Sequence, residues 1–365
     1  MSADHGFNNW AKGQGVIRHN ELTQQRIKSL AESLLAQNKV ESLEQFYQFL
    51  HALDVLTNQT MWLVAHMTYS KYVHLDGREL GCESFKQDPQ GHTGGSLNMV
   101  PAFAGYLGIN ALTGQYRDWL MGQGHCVAAI DALQLLTGQA KAERQQQFPL
   151  TDQGLTEFVR AFYSYEVSPS GKPASPLGSH VNVNTKGASI EGGYLGFAAL
   201  HYVHQPLPGE RLVAFLSDGA FEEQRGSDWA ARWWRAEDSG LVSPIMIANG
   251  RRIDQRTMTA QQGDSAWFAE HLSHQGFDPI CIDGRDPAAF VWAIFHMETA
   301  LSAAAEKVKN GQAEYPIALP YCIAETEKGF GFPGAGTNAA HGLPLTNNPR
   351  HDEQARELFN RGAQA

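Results

Sequence analysis

Two polar residues, Asp218 and Asn249, each stand at the end of a short apolar run and directly before a glycine. The runs are residues 212–216 (LVAFL) and 245–248 (IMIA), and both are predicted to be buried strands. In an open α/β sheet, ligands bind beyond the carboxyl ends of the strands, so we expect both side chains to reach one crevice. A carboxylate and an amide oxygen suit Mg²⁺, whose coordination shell a diphosphate completes. The two residues therefore predict a metal-assisted diphosphate site.

A plainer interpretation is that the two dipeptides, Asp218-Gly219 and Asn249-Gly250, are only turns. Both sequences are common turn formers, because the side chain bonds to nearby backbone and glycine accepts unusual backbone angles. Taken singly, each dipeptide favours the turn. The order of strand, Asp-Gly, about 30 residues, strand and Asn favours a functional pair.

That order resembles the signature of proteins that bind thiamine diphosphate (ThDP) with Mg²⁺. The resemblance implies that Asp218 and Asn249 bind the metal and that the backbone carbonyl of Arg251 adds a ligand. Gly219 is implied to lie against the cofactor. Ser217 stands where the signature usually has glycine, a departure that removes neither side-chain ligand.

The elements that must position these residues are predicted to form an α/β fold, a doubly wound and mostly parallel sheet with an N-terminal helical extension. Residues 20–75 have apolar side chains at helical spacing. Beyond about residue 88, glycine-rich turns alternate with short apolar runs, which is typical of strands and helices around a parallel sheet. Further strands are predicted at 279–282 and 317–324, and a helix is predicted to open at Asp286-Pro287 and close at Asn310-Gly311.

The same patterns predict three segments. Residues 1–88 form a helical segment, 89–346 form the ThDP diphosphate-binding α/β domain, and 347–365 form a tail helix. The stretch 167–179, rich in proline, glycine and serine, is predicted to be a surface loop rather than a linker.

The composition excludes several classes of function. A net charge of −10 argues against nucleic acid as the main partner, since phosphate backbones are held by clustered lysine and arginine. No apolar run approaches the ~18 residues that a membrane span needs, and the first ten residues lack the pattern of a signal peptide. Four widely spaced cysteines favour reduced thiols. We therefore expect a cytoplasmic protein with no membrane or nucleic-acid partner.

Further motifs occur in the order found in the N-terminal half of phosphoketolases, which the chain resembles from about residue 90 to 346. Each motif is weak alone, but together and in register they are specific. They are Gly91-His92-Thr93-Gly94 with Leu97-Asn98, Gly122-Gln123-Gly124-His125, Gly178-Ser179-His180-Val181, Glu191-Gly192-Gly193 with Leu195-Gly196, Thr326-Glu327-Lys328-Gly329, and Ala340-His341-Gly342-Leu343-Pro344-Leu345.

The phosphoketolase resemblance implies roles for these residues. His92, His125, His341 and Lys328 are implied to line the substrate end of the ThDP cleft, with His180 close by. The loop Glu191-Gly192-Gly193 is implied to contact the cofactor. A histidine can move protons to and from sugar hydroxyls, and a lysine offers a point charge to phosphate or a developing oxyanion. The alternative for any single histidine is a hydrogen-bonded structural role, which stays equally open for His180.

The chain also departs from the family at positions expected near the cleft. Thr93 replaces a tryptophan, Ile190 a histidine, Tyr194 a glutamate and Arg251 a tyrosine. Only 24 residues follow His341, so we expect no second α/β domain of the kind that binds the cofactor's pyrimidine ring. A split enzyme, a truncated chain and a homologue that has lost catalysis all remain open.

The sequence therefore predicts the ThDP- and Mg²⁺-binding half of a phosphoketolase-like aldehyde-lyase. Its substrates would be a ketose phosphate, xylulose 5-phosphate or fructose 6-phosphate, and inorganic phosphate, and its products acetyl phosphate and an aldose phosphate. It would need a pyrimidine-binding domain or subunit and would work as an oligomer. The alternatives are a transketolase-type subunit that transfers a two-carbon unit, and a non-catalytic assembly module.

Overall fold

The computed structural model describes residues 3–121, 126–171, 211–223 and 241–365. Within the chain, contacts define two units, each made of stretches that are far apart in sequence. Unit 1 comprises Met1–Asp54, Ala104–Gly124 and Asn182–Thr326, and unit 2 comprises Val55–Phe103, His125–Val181 and Glu327–Ala365. The prediction of three consecutive segments stays a prediction about the chain.

Unit 1 contains a parallel sheet with the strand order β1-β2-β3-β5-β4. The strands are β1 (Asp118–Met121), β2 (Arg211–Ser217), β3 (Leu241–Ala248), β4 (Phe277–Asp283) and β5 (Leu319–Glu325). All four runs predicted to be strands form strands of this sheet. The run 317–324 begins two residues before β5, and each of the other three runs lies within its strand. The sequence analysis missed β1, a four-residue strand that pairs with β2.

Both faces of the sheet are covered, as a doubly wound fold requires. Because side chains alternate along a strand, Leu216 and Phe215 face opposite sides of β2. Leu216 belongs to a buried cluster that includes Phe268 of a flanking helix, while the ring of Phe215 meets Tyr106 of another, with centroids 6.2 Å apart. The predicted α/β fold is therefore confirmed.

The helices surround this sheet in unit 1 and form most of unit 2. In chain order they are α1 (Ala3–Ala11), α2 (Glu21–Ala36), α3 (Leu43–Tyr69), α4 (Thr93–Thr113), α5 (Val127–Leu136), α6 (Ala142–Gln147), α7 (Asp152–Ala161), α8 (Asp218–Glu223), α9 (Met258–Gln262), α10 (Asp264–His274), α11 (Pro287–Lys309) and α12 (Glu353–Gln364). Two short 3₁₀ helices span Cys82–Ser84 and Ala339–His341.

Helix α11 begins and ends where its sequence predicts. The carboxylate of Asp286 accepts a hydrogen bond from the Ala288 N–H, Pro287 occupies the first turn, and Asn310 follows the last. By length and composition, α11 could also cross a membrane, contrary to the expectation that no stretch qualifies. Half of its most apolar window is buried in the fold, where α11 packs on α2, β3, β4 and β5, so its apolar surface is that of a core helix.

In unit 2, helix α12 packs through Phe359, a fully buried ring at the centre of an aromatic cluster. The rings around it are Trp62, His66, Tyr69 and Phe85. The Asn360 side chain accepts from the Leu80 N–H and donates to the Leu80 carbonyl, which fixes the position of the helix along its axis.

We predict that Phe359→Ala lowers the free energy of unfolding by about 3 to 5 kcal/mol, because it opens a cavity inside the aromatic cluster. Chemical denaturation measures the change. Gln354→Ala, an exposed substitution on the same helix, should alter the free energy of unfolding by no more than about 0.5 kcal/mol. Equal effects of the two substitutions would contradict the central role of Phe359.

Candidate functional site

The first predicted group lies in unit 1, where Asp218 follows β2 and begins α8. Its side chain is buried, with 2% of the residue exposed. One carboxylate oxygen accepts from the Gly219 N–H at 2.9 Å, and the other accepts from the Gly250 N–H at 2.7 Å and the Thr257 hydroxyl at 3.3 Å. Neutral donors therefore hold this carboxylate in place from two neighbouring strand ends.

The electrostatic surroundings of Asp218 oppose its charge. Burial, with a smaller effect of the nearby charge of Glu222, raises the pKa of Asp218 to about 6, although the hydrogen bonds from Gly250, Gly219 and Thr257 work in the opposite direction. Within the described residues, none of the groups acting on its pKa is a cation. A divalent metal ion would supply the missing positive charge, and carboxylate oxygens are the donors Mg²⁺ takes. The residues present therefore fit the metal.

Asn249 follows β3, the strand paired with β2, so the adjacent strand ends bring it to the same edge of the sheet. Its side-chain oxygen accepts from the Arg251 N–H at 3.1 Å. Gly250 has a positive φ of 75°, a conformation that glycine adopts readily, and its N–H points at Asp218. The turn seen as the plainer interpretation is therefore present, and it serves to hold Asp218.

The chain after Asn249 folds back as a tight loop. The backbones of Arg251 and Arg256 form an isolated antiparallel β-bridge, and the Thr257 N–H donates to the Gly250 carbonyl. A β-carbon added at Gly219 would lie 3.9 Å from the carbonyl oxygen of Arg251. The structure thus brings together Asp218, Gly219, Asn249 and Arg251 in unit 1, as the sequence predicts. Their roles as metal and cofactor ligands stay predictions.

The sequence analysis missed Thr257, which is fully buried and contacts Asp218 from 39 positions further along the chain. Thr257 also caps α9, because its hydroxyl accepts from the Ala260 N–H. A threonine before a helix was a usable sign of the cap, but nothing in the sequence connected it to Asp218. Glu222 joins the same loop, since its carboxylate accepts from the Thr259 N–H at 2.7 Å.

The second predicted group lies in unit 2, where His92 and His341 form a pair. His92 immediately precedes α4, and His341 ends the short helix Ala339–His341. The Nδ1 atom of His92 lies 3.1 Å from the Nε2 atom of His341, and the two rings meet edge to face. Lys328 is nearby and buried, with 5% of the residue exposed. Three of the predicted substrate-site residues are therefore neighbours.

Both histidines are held neutral. Burial, the charge of Lys328 and the neighbouring His92 lower the pKa of His341 to about 4, and burial with the charge of Lys328 also lowers the pKa of His92. One neutral ring therefore donates its proton to the other. The Nδ1 atom of His341 is buried and has no hydrogen-bond partner among the described residues. This ring nitrogen can donate to or accept from a ligand, depending on the tautomer.

Backbone contacts with the start of α4 fix Lys328. The Asn98 side chain donates to the Glu327 carbonyl at 2.7 Å, and the Gly329 N–H donates to the Gly94 carbonyl at 3.2 Å, so both residues that flank Lys328 are tied down. A β-carbon at Gly94 would collide with the carbonyl oxygen of Ala340, so glycine there allows this close approach. The motif residues of α4 therefore act on the lysine through the backbone.

Thr93, predicted to lie near the cleft, is buried, with 1% of the residue exposed. Its hydroxyl lies 2.7 Å from the Thr68 hydroxyl and 3.4 Å from the carbonyl oxygen of Gly342. Thr93, the residue beside His92, thus links α3 to Gly342, the residue beside His341. The contact between Thr68 and Thr93 joins positions 25 residues apart, so no pattern in the sequence predicts it.

Other predicted site residues lie outside the described parts of the chain, so their roles stay predictions. They are His125, His180, Glu191, Gly192 and Gly193.

The model of the XFP N-terminal domain matches residues 38–361. The chain belongs to this family, the N-terminal domain of phosphoketolases. The resemblance inferred from motifs is therefore confirmed. The match also extends to residues before 90, where the sequence analysis found no motif it could quote, because a family model weighs every position and not only short motifs.

Curated relatives agree with this assignment. A probable phosphoketolase from Streptomyces coelicolor is 29% identical over 63% of the chain and 30% of that protein. Probable phosphoketolase 1 from Lactiplantibacillus plantarum is 24% identical over 86% of the chain and 42% of that protein. The chain thus spans less than half the length of these relatives.

Solved structures similar to the chain include transketolases. A transketolase mutant from Pichia stipitis is 17% identical, with a TM-score of 0.48, over 86% of the chain and 44% of that protein. Transketolase from Leishmania mexicana is 18% identical, with a TM-score of 0.47, over 85% of the chain and 44% of that protein.

We predict that Lys328→Met raises the pKa of His341 from about 4 to a value that stays below 6.5. The substitution removes the lysine charge, while burial, the larger cause of the low pKa, remains. Titration of the histidine ring protons by NMR measures the pKa. Lys141→Met, which removes an exposed lysine of the same unit, should leave the pKa of His341 where it is. An unchanged value in Lys328→Met would show that the lysine charge does not reach the ring.

Proposed function

We propose that this chain is the ThDP- and Mg²⁺-binding part of a phosphoketolase that cleaves ketose phosphates. The observation that carries the proposal is the buried carboxylate of Asp218. Neutral donors hold it at the carboxyl edge of the sheet, and none of the groups that shift its pKa is a cation; the nearby Arg252 pairs with Glu222 instead. Membership of the XFP N-terminal domain family supports the same function.

In unit 1, the Asp218 carboxylate and the Asn249 amide oxygen would hold Mg²⁺, together with the backbone carbonyl of Arg251. The oxygens of a diphosphate complete an octahedral shell of this kind. The Gly250 N–H and the Thr257 hydroxyl orient the carboxylate, so the ligand is fixed before the metal binds. ThDP, when bound, supplies an electron sink for cleavage of a carbon–carbon bond.

In unit 2, His92 and His341 would exchange protons with the hydroxyl and carbonyl groups of the sugar. A neutral ring carries one N–H and one bare nitrogen, so it can both donate and accept, and the hydrogen bond that joins the two rings offers a path for a proton. The buried Nδ1 of His341 offers a donor or an acceptor to the substrate. Lys328 would bind a phosphate group or a developing oxyanion. His125 and His180 are proposed to act with these residues.

The proposal also covers partners and compartment. The substrates would be xylulose 5-phosphate or fructose 6-phosphate with inorganic phosphate, and a pyrimidine-binding domain or subunit would complete an oligomeric enzyme. All four cysteines lie in the described residues and are free thiols, which supports a reducing compartment such as the cytoplasm. The products would be acetyl phosphate and an aldose phosphate.

We predict that Asp218→Asn weakens the Mg²⁺-dependent binding of ThDP by more than about 100-fold. Changing a neighbour of a metal ligand already costs about 10- to 100-fold in affinity, and this change removes the charge of a ligand itself. Isothermal titration calorimetry, with Mg²⁺ present or replaced by EDTA, measures the affinity. Thr257→Val keeps the shape of the side chain and removes only the hydroxyl at Asp218, so a loss of about 10-fold is expected.

Asp278→Asn, which neutralises an exposed carboxylate on β4, is the matched control and should bind as the wild type does. The measurements are repeated with a pyrimidine-binding domain added in trans. If the wild-type chain binds no ThDP in either setting, the metal site is wrong.

We predict that the chain, supplied with a pyrimidine-binding domain, ThDP, Mg²⁺ and phosphate, forms acetyl phosphate from xylulose 5-phosphate. His341→Asn should lower kcat by about 10²- to 10⁴-fold, the usual contribution of a positioned acid or base. His351→Asn, at an exposed histidine of the same unit, should not change kcat. Acetyl phosphate is detected as its hydroxamate.

Two outcomes would replace this proposal. Transfer of a two-carbon unit to an aldose phosphate, without acetyl phosphate, would assign the chain to transketolase-type chemistry. Tight binding of ThDP without turnover of either kind would favour an assembly module.

A further inference from the structure

A second buried polar cluster lies in unit 1 and shares no residue with the candidate site. It consists of His19 in the segment between α1 and α2, Asp54 on α3, and Asp286 at the start of α11. The Nδ1 atom of His19 lies 2.8 Å from an Asp286 oxygen, and the Nε2 atom lies 3.0 Å from an Asp54 oxygen. All three side chains are fully buried. One ring thus bridges two carboxylates across a large separation in sequence.

This geometry requires an additional proton. A neutral imidazole has one N–H and one bare nitrogen, and a bare nitrogen cannot donate to a carboxylate. Since both nitrogens of His19 face carboxylate oxygens, the ring is protonated at both, or one carboxyl group carries the proton instead. In either arrangement the cluster holds one proton more than a neutral ring between two carboxylates. The proton thus offsets one of the two carboxylate charges, and one net negative charge stays in the cluster.

A metal ion is a poorer explanation of the same cluster. The two ring nitrogens point away from each other, and each is engaged with a different carboxylate. One ligand atom from each of the three residues lies within 4.8 Å of the other two, so their spacing alone would allow an ion. However, each ring nitrogen already lies at hydrogen-bond distance from a carboxylate oxygen, which is the arrangement of a shared proton.

The ring also supports the N-terminal arm, which we define as residues 3–19. Trp10 is fully buried and stacks on the His19 ring, with centroids 4.2 Å apart and an interplanar angle of 29°. A protonated ring attracts the face of an indole. Trp10 in turn meets Phe7 and Tyr47, so the packing of α1 continues from the bridged ring. Neutralising the ring would weaken both the hydrogen bonds and this stacking.

The charged groups around the cluster agree with a protonated ring. Burial lowers the pKa of His19, but the hydrogen bonds and charges of Asp286 and Asp54 outweigh it and raise the pKa to about 9. Burial raises the pKa of Asp54 to about 6 and also raises that of Asp286. The charge of Asp283, which is paired with Arg285, also acts on Asp286. Tyr47, another titratable residue, stacks on Trp10.

The family match begins at residue 38, so the arm precedes it, while Asp54 and Asp286 fall inside it. We propose that the proton held by His19, Asp54 and Asp286 fastens the N-terminal arm to the rest of unit 1, and that loss of this proton releases the arm. The cluster is a proton-binding site built between the matched domain and the segment that precedes it.

The direction of the pH dependence follows from the two states of the arm. In the open state His19 has its ordinary pKa of 6.5, and in the closed state its pKa is about 9. The stabilisation of the closed state by the His19 proton is therefore fully present below pH 6.5. Above that pH, the ratio of closed to open chains falls about tenfold for each pH unit, up to about pH 9. Acid does not open the arm, because below about pH 6 the closed cluster takes up a further proton at Asp54 before the open state does.

Hydrogen–deuterium exchange of the full chain tests the proposal without any substitution. After correction for the intrinsic pH dependence of exchange, protection of the amides in residues 3–19 should fall by at least 100-fold between pH 6.5 and 10, while amides of β3 keep their protection. NMR of ring nitrogens in ¹⁵N-histidine-labelled protein should show His19 with two N–H groups at pH 7.5. Protection that stays level across this range, or a His19 ring with a single N–H beside two ionised carboxylates, would overturn the proposal.

Substitutions sharpen the test. His19→Gln cannot carry the proton, so protection of the arm should be about 100-fold lower at pH 7 and should no longer change between pH 6.5 and 10. His5→Gln, an exposed change on the arm itself, is the matched control and should keep the wild-type pH profile. If His19→Gln fails to fold, the wild-type exchange profile and the ring NMR still decide. A metal ion present at one per chain and lost in His19→Gln would show that a metal, not a proton, holds the arm.

Discussion

The hydrogen bond from the Gly250 N–H to the Asp218 carboxylate is the interaction on which the candidate site depends. It joins the ends of β2 and β3, and it exists because those strands are parallel neighbours whose carboxyl ends lie at one edge. Gly250 must adopt a positive φ for its N–H to point inward. The buried apolar side chains of the two strands therefore fix the position of the Asp218 carboxylate, which is not itself an apolar group. A slip in strand register would separate Asp218 from Asn249.

The histidine group of unit 2 is organised by a different means, since its key feature is a buried lysine. Burial is the larger cause of the low pKa of the two rings, and the charge of Lys328 lowers the pKa of both further. The lysine is positioned through the backbone, by contacts of Asn98 and Gly94 with the residues on either side of it. The first turn of α4 therefore fixes the backbone from which the lysine side chain extends.

The sequence was sufficient for features that are local or strongly periodic. The long strands were predicted because their apolar runs are continuous, and α11 because Asp286-Pro287 and Asn310-Gly311 mark both its ends. Strand β1 was missed since four residues carry too little periodicity to distinguish it. The contacts of Thr257 with Asp218 and of Thr68 with Thr93 were also missed, because they join positions that the sequence cannot place side by side. The motifs, taken in the order found in the family, predicted that His92 and His341 belong to one site. The separation of the two histidines along the chain could not have predicted this.

The charges of three buried aspartates in unit 1, Asp54, Asp218 and Asp286, are stabilised in two different ways. Asp54 and Asp286 share the charge of a protonated histidine, which arrives from a segment outside the family match. Among the described residues, the hydrogen bonds to Asp218 come from amide and hydroxyl donors, and the charge that acts on its pKa is that of Glu222. Dipoles of this kind stabilise a buried carboxylate incompletely, and its pKa is accordingly raised. A carboxylate that serves only the fold would gain more from a paired cation, as the other two have. This difference supports the proposal that the counter-charge of Asp218 is a cation that comes with a ligand.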